Sequence, residues 1–575
     1  MRKLLKTIAY FLPIFLVLAG SLCCIQGAAQ DISADTIKPV SNFKKWYQNL
    51  LPTPYLSPKN KLRMPIPVGY TNFDDNIRDL QLLGKLEPQQ SLTIRPYILT
   101  PKFGYDSLLA MIDPELENNG HLVEKKYLDI QLLPINFLQK NNSHHPYGWN
   151  DGPLSFSKGY QFVGSGGFYM RLGNIHLTLM PEFFKTASDP YETNSDWGQR
   201  TSATSKLTLG QSSLRMDLGP LSIGVSTQNL WLGPGIYSSL LMSNNPPGFN
   251  HFSVQTNRPI FTPLGSFQLA IIGGTLTANA KQGWENNNLR FSSKNYSLSG
   301  LVIPVGISVP SRYLNIISLT YSPILFKNLY LGLNRAFQQP TQINPSKKLT
   351  DYFLISLKPL FRNVYQDNMA PIDQIISGFA KYLFPKAHAE IYFEYGVNDG
   401  SSNLRDFILD MSHSAASIIG IKKLQYLNEK TYLNFEVEAT QMSQRPSYLQ
   451  RNAGNWYIHG QITEGYTNEN QIMGAGSGFG NNLQSIAISW NKNWTRYGIK
   501  FQHIAQNPIG LTNILAYDGG APYWNDYAYG IQLKQKYKHF LFNLNLEWVN
   551  SKNYLWQNNN KVSNVYLFLN TIYVW

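Results

Sequence analysis

The chain ends in VYLFLNTIYVW, residues 565–575. Side chains alternate across a β-strand, so Val565, Leu567, Leu569, Thr571, Tyr573 and Trp575 share one face. That face finishes on an aromatic residue, the pattern by which outer-membrane barrels are recognised for assembly. The stretch before it, FLFNLNLEWV (540–549), alternates more regularly. Phe540, Phe542, Leu544, Leu546 and Trp548 face one way, while Asn543, Asn545 and Glu547 face the other. YAYGIQLKQKY (527–537) repeats the design, with Tyr527, Tyr529, Ile531, Leu533 and Tyr537 opposing Gln532, Lys534 and Lys536. Such two-faced strands suit a soluble sandwich or a wall between lipid and a polar lumen. Aromatics at the strand ends, beside lysines and asparagines on the other face, favour the wall. A sheet in lipid must close on itself, because an open edge leaves backbone groups unpaired.

Composition agrees. Tyrosine, at 35 residues, leads an aromatic content of 13%, which suits the interfacial girdles of a membrane barrel. Arg2, Lys3 and Lys6 precede the apolar run IAYFLPIFLVLAG, and Gly27 and Ala29 form a cleavage pattern, so residues 1–29 read as a signal peptide. Leu22 stands where a lipidated cysteine would want a small neighbour, which argues against a lipoprotein. Cys23 and Cys24 both fall in this leader, leaving no thiol for disulfides, metal or nucleophilic chemistry. After the leader no run reaches the ~20 apolar residues of a membrane helix. The formal charge of +14 favours acidic partners, but no lysine- or arginine-rich run points to nucleic acid.

Turn lengths give orientation, since periplasmic turns of such barrels are short and external loops long. Gly219 and Pro220 alone join two strands, and LSIGVSTQNLW then enters the long segment NLWLGPGIYSSLLMSNNPPGFNHF (229–252). Counting from the C-terminus gives the same alternation, which loses step between about 440 and 490. DDNIRDLQLLGKL (74–86) has helical spacing behind acidic residues. PIDQIISGFAKYLF (371–384) suits helix or strand. The expectation is an all-β fold: signal peptide 1–29, an N-terminal periplasmic, partly helical region 30–88, and a transmembrane barrel 89–575. That length holds about 16–20 antiparallel strands.

Few motifs suggest chemistry. His144, His145 and Asp151 in NNSHHPYGWNDG could be read as metal ligands, but neighbouring residues of an extended chain diverge and a turn reading leads. GAGSGFGNN (474–482) lacks the lysine and βαβ context of a phosphate loop, so it reads as a flexible loop or close backbone approach. Glu390 and Glu394 share a strand face ~13 Å apart, too far for retaining glycosidase chemistry. With Asn398, Asp399, Arg405 and Asp406 they form a candidate polar lumen or loop cluster. The 229–252 segment differs in kind. Trp231, Tyr237, Phe249 and Phe252 offer flat faces, and Asn244, Asn245 and His251 offer hydrogen bonds. That combination binds sugar rings, but it suits still better a loop that plugs the barrel mouth and touches only protein.

Six blocks in order carry a resemblance: RDLQLLGKLEPQQSLTIRP, HHPYGWNDG, GYQFVGSGGFYMRLGNIHLTLMPEF, WLGPGIYSSLLMSNNPPGF, EIYFEYGVNDGSSNLRDF and HGQITEGYTNENQIMGAGSGFG. Together they resemble the capsule assembly protein Wzi family over most of the mature chain. The resemblance implies an outer-membrane β-barrel, with 18 strands favoured and short accessory helices, acting as a surface lectin that helps attach exported capsular polysaccharide. The family's W-G-P-G-x-x-x-S-L-x-x-S-N-N block falls on Trp231, Gly233, Pro234, Gly235, Ser239, Leu240, Ser243, Asn244 and Asn245, with Leu232 extra and Pro246 in place of a small residue. A second block falls on Glu394, Tyr395, Gly396, Asn398 and Asp399, with Val397 where arginine is common.

The sequence thus leads to a non-enzymatic barrel, without cofactor or metal, in the outer membrane of a Gram-negative bacterium. Its candidate polysaccharide-binding residues are Trp231, Tyr237, Asn244, Asn245, Phe249 and His251. Expected partners are surface or capsular polysaccharide, outer-membrane lipid and, through the C-terminal strand, the barrel-assembly machinery, with no nucleic acid. A porin or substrate-specific channel is the first alternative, and an enzyme acting on lipid or glycan the weaker one.

Overall fold

The computed structural model describes residues 64–69, 73–86, 90–99, 104–125, 127–191, 203–278, 311–341, 373–398, 414–443, 456–459, 462, 464–506 and 522–575. Residues 1–29, the expected signal peptide, lie outside them, as do Asp399, Arg405 and Asp406. Among the described residues, one antiparallel sheet links 24 strand segments. Several segments are halves of one interrupted run. Gly159–Ser165 and Phe168–Leu172, for instance, follow each other along Ile135–Asn142 and Leu128–Leu132, so segments outnumber transits. The large sheet begins at His121.

The sheet closes. The last strand, Lys561–Tyr573, pairs with Phe540–Lys552 on one side and with Ile135–Asn142 on the other. The closing register runs from Tyr566 opposite Asn142 to Tyr573 opposite Ile135. Side chains stitch the same seam: Asn564 Nδ2 donates to Asn142 Oδ1 at 2.9 Å, and the Val565 amide donates to Ser143 Oγ at 2.8 Å. The His144 amide donates to Asn564 Oδ1 at 2.9 Å.

Polarity is inverted relative to a soluble protein. Ile391, Phe393, Ile419, Ile421, Phe435, Val437, Ile499, Ile531 and Trp548 are exposed, while Glu390, Glu394, Lys422, Glu436, Glu438, Lys534 and Glu547 on the same strands are buried. Period-two alternation makes this possible, because each residue is followed by one on the opposite face. The exposed face can meet only hydrocarbon, and the buried one lines a polar lumen.

Connections alternate as the turn rule requires. Gly219–Pro220 links Ser213–Leu218 to Leu221–Ser226 directly. Lys538 and His539 alone join Asn525–Tyr537 to Phe540–Lys552. The ambiguous 371–384 segment is a strand, Asp373–Phe384, whose residues alternate between buried and half-buried. Counting fails near 440–490 because the residues between Thr431–Gln441 and Asn482–Lys492 hold a small hairpin, Thr467–Asn468 with Gln471–Ile472, outside the large sheet.

A helix, α1 (Phe73–Leu82), lies inside the barrel near its short turns. His388, in the 385–388 turn, brings Nδ1 to 2.8 Å from the Leu82 carbonyl oxygen. Asp74 and Asp75 sit in its first turn, where the helix dipole favours acids. Every residue but Asp75 is buried, including Arg78 and Asp79. A second helix, α2 (Tyr105–Ile112), buries Tyr105, Leu108, Leu109 and Ile112 in an apolar cluster with Phe73, Ile77 and Trp494.

Ile531 is central to Asn525–Tyr537 and faces outward beside Ile499 and Leu546. Ile531→Arg is expected to cost ~2–4 kcal/mol of barrel stability, and Gln532→Arg on the lumenal face much less. Urea unfolding in lipid vesicles, followed by heat-modifiable gel mobility, measures both.

Candidate functional site

Three connections from the long-loop end turn into the lumen instead of outward. The first, residues 143–158, runs from His145 through Tyr147 to Asp151, all buried. The second spans 227–250, and the third includes the described residues from Trp456 to Asn481. They interlock through backbone bonds. Gly152 N donates to Asn244 O at 2.9 Å and Ser243 N to Met473 O at 2.7 Å, while Gly233 N reaches back to Thr93 O of the 90–99 segment at 2.9 Å. Glycine permits close approach: a Cβ on Gly476 would stand 2.6 Å from Asn245 Oδ1 and 2.7 Å from Trp149 Cβ.

A charge network fastens α1 to the inner wall. Asp79 meets Lys422 at 2.5 Å and Arg496 at 3.2 Å, and Lys422 also meets Glu436 at 2.9 Å. Arg78 pairs with Glu390, which meets Lys381 at 3.0 Å. The Arg78 guanidinium also donates to the carbonyls of Pro234 and Gly235, at 2.7 and 3.2 Å. Glu438 holds the same loop tip, accepting from the Ile236 amide at 2.6 Å and the Tyr237 amide at 3.2 Å. Helix, second inward loop and wall therefore share one buried set of charges. Each loses its hydration on burial and depends on these partners.

Between them lies a cavity of about 200 Å³. Tyr147, Trp149 and Trp231 give it aromatic walls, and Gln502, Gln532 and Asn545 give it amides. Arg95, Asp74, Glu436, Arg496, Lys500 and Glu547 add charge. Lys500 pairs with Glu547, and Arg95 reaches Asp74 at 3.4 Å. Tyr147 Oη lies 3.0 Å from Gln502 Oε1 and 3.2 Å from Glu547 Oε2. Tyr237 Oη donates to Glu436 at 2.6 Å.

The structure brings Trp231, Tyr237 and Asn244 of the sequence-derived set onto this cavity. Trp231 pairs in register with Arg95, whose guanidinium lies 5.0 Å above its ring. Asn245 instead donates to Ile472 O at 3.0 Å. Phe249 and His251 are buried against each other, ring centroids 5.0 Å apart, away from the cavity. The expected outward presentation of this loop is thereby corrected: its aromatic and amide groups meet protein or the lumen. Glu394 accepts from Ser377 at 2.7 Å, and Asn398 is buried. Sequence reasoning missed Tyr147 and Trp149, whose only signal was aromatic residues inside a turn-rich motif. It also missed Glu436 and Glu438, although TYLNFEVEATQ (431–441) alternates visibly.

The paired histidines pack as rings. His145 lies 4.9 Å from Tyr554, and burial first, then His144, lowers its imidazole to about 3. Among the described residues no group of three potential ligands gathers around a metal site.

An apolar outer face, a charged inner wall and connections folded into the lumen define an outer-membrane β-barrel. Over residues 139–559 the chain matches the model of capsule assembly protein Wzi, and it belongs to that family. It is similar in structure to Wzi of Escherichia coli, described as a carbohydrate-binding β-barrel of the outer membrane involved in group 1 capsule assembly. The TM-score is 0.59 at 14% identity, covering 89% of this chain and 100% of that one. Pseudomonas aeruginosa OprD gives a TM-score of 0.37 at 9% identity, covering 76% of this chain and 92% of its own. No curated protein matches the chain by sequence.

Asp79→Asn removes the shared partner of Lys422 and Arg496, and is expected to cost about 3–5 kcal/mol. A lowered urea midpoint together with faster trypsin cleavage near α1 would report it. His145 gives a pH dependence. Between pH 6.5 and about 3 the unfolded chain binds a proton that the folded imidazole refuses. Stability therefore falls with falling pH by ~1.4 kcal/mol per unit in that window. His145→Gln is expected to flatten that slope relative to the parent chain, read from urea midpoints at pH 7, 5.5 and 4.

Proposed function

We propose that this barrel binds exported capsular or related surface polysaccharide and attaches it to the cell. The observation that carries the reading is membership of the capsule assembly family across residues 139–559. The similarity to a carbohydrate-binding barrel along that protein's whole length supports it. The inward connections point the same way. A channel needs a continuous polar path, whereas here α1 and three inward connections occupy the lumen and are tied to its wall. The reading involves no reaction, and Glu390 is engaged by Arg78 and Lys381. The apolar outer face is the surface for outer-membrane lipid, and the strand ending in Trp575 is the segment offered to the assembly machinery.

Deleting the gene is expected to shift surface polysaccharide from the cell-bound to the shed fraction, and restoring it to reverse the shift. An unchanged ratio, with ion conductance by the purified barrel in planar bilayers, would replace attachment by transport.

A further inference from the structure

The cavity enclosed by α1, the first two inward connections and the wall has features that the protein's own packing does not use. Trp231, Arg95 and Asp74 are each 3–4% exposed and line it. Yet Trp231 Nε1, Arg95 Nε and Asp74 Oδ1 have no hydrogen-bond partner among the described residues, and neither does Asn150 Oδ1 on the same lining. Buried polar atoms are almost always paired, so two donors and two acceptors left over in residues that line one cavity mark a place where a polar guest, with a small side-chain shift, would pair them. A guest that supplies both donors and acceptors from one small frame is a polyhydroxylated ring.

The walls suit such a ring. Trp149, half-buried and 5.6 Å from Tyr147 between ring centroids, is the aromatic surface open to C–H groups, and the buried Tyr147 and Trp231 rings back the same lining. Gln532 and Asn545, opposite each other in adjacent strands and only half-buried, offer amides that both donate and accept. The volume, about 200 Å³, equals that of on the order of six or seven liquid waters, room for one sugar ring. The charges around it are engaged with one another, as Arg95 is with Asp74, Lys500 with Glu547 and Arg496 with Asp79. Among the described residues that line it, no cation is left over to recognise a carboxylate.

We infer that this lumenal cavity is a subsite for a single neutral hexose ring, formed where Trp149 and Trp231 face Gln532 and Asn545. The inference rests on the polysaccharide-binding reading and places one residue of the glycan inside the barrel. Arg95, Asp74 and Asn150 complete the hydrogen bonds of its hydroxyls.

The test is calorimetric titration of the purified full-length barrel with glucose, galactose and glucuronic acid, with tryptophan fluorescence in parallel. Saturable binding of a neutral hexose is expected, with glucuronic acid weaker. Trp149→Ala combined with Gln532→Ala is expected to weaken the hexose roughly tenfold. Both side chains are partly exposed, and unchanged heat-modifiable mobility checks that the variant folds. No saturable hexose binding, equal binding by the variant, or a preference for glucuronic acid would each overturn the subsite. Shedding of polymer on gene deletion, without hexose binding by the purified barrel, overturns the subsite and leaves attachment standing. Hexose binding without shedding supports the subsite and removes attachment alone.

Discussion

Hydrocarbon cannot hydrogen-bond to a peptide group, and every other feature of this barrel follows from that. The sheet must close, so the final strand has to find Ile135–Asn142 at the other end of the fold. Once closed, alternation sends one residue in two outward into lipid and the next inward. A wall of this size then holds a polar interior by geometry alone. The familiar logic of a folded protein is reversed, with isoleucine exposed and glutamate buried.

A polar interior creates its own demand. Glu390, Glu436, Glu438 and Lys422 are buried in it, and each requires a partner there. The partners come from segments that would otherwise be appendages. α1 brings Arg78 and Asp79, and the 227–250 connection brings the amides of Ile236 and Tyr237. A helix buried on nearly all sides in a soluble core would be apolar all round. This one keeps a charged face because the lumen is charged. Filling the barrel and neutralising its wall are the same act.

How much of this was legible follows from the range of the interactions. Strand faces such as Phe540–Trp548, the two-residue turn at Gly219–Pro220 and the helical spacing of 74–86 are local, and the sequence displays them. The direction of the 227–250 loop is not local. Tryptophan, tyrosine and paired asparagines serve equally on a wet surface and in a packed lumen, and only contacts with Arg95, Glu438 and Met473 separate the two. The lost count near 440–490 has the same origin. Its Thr467–Ile472 hairpin looks like a transit in sequence, but it pairs only with itself. Trp149 was hidden because turn residues around it explained the segment without it.

The closing seam has a consequence of another kind. Ser143 and His144, at the start of the first inward connection, bond across it to Asn564 and Val565. The joint between the last and first strands is thus riveted from within by a segment that also holds Trp149 beside Asn245. A barrel that passes cargo sideways into the bilayer parts at one joint of its wall, and the seam where the sheet closes is one such joint. Here that joint cannot part without withdrawing the lining of the lumenal cavity, so the wall and its contents stay together or come apart together.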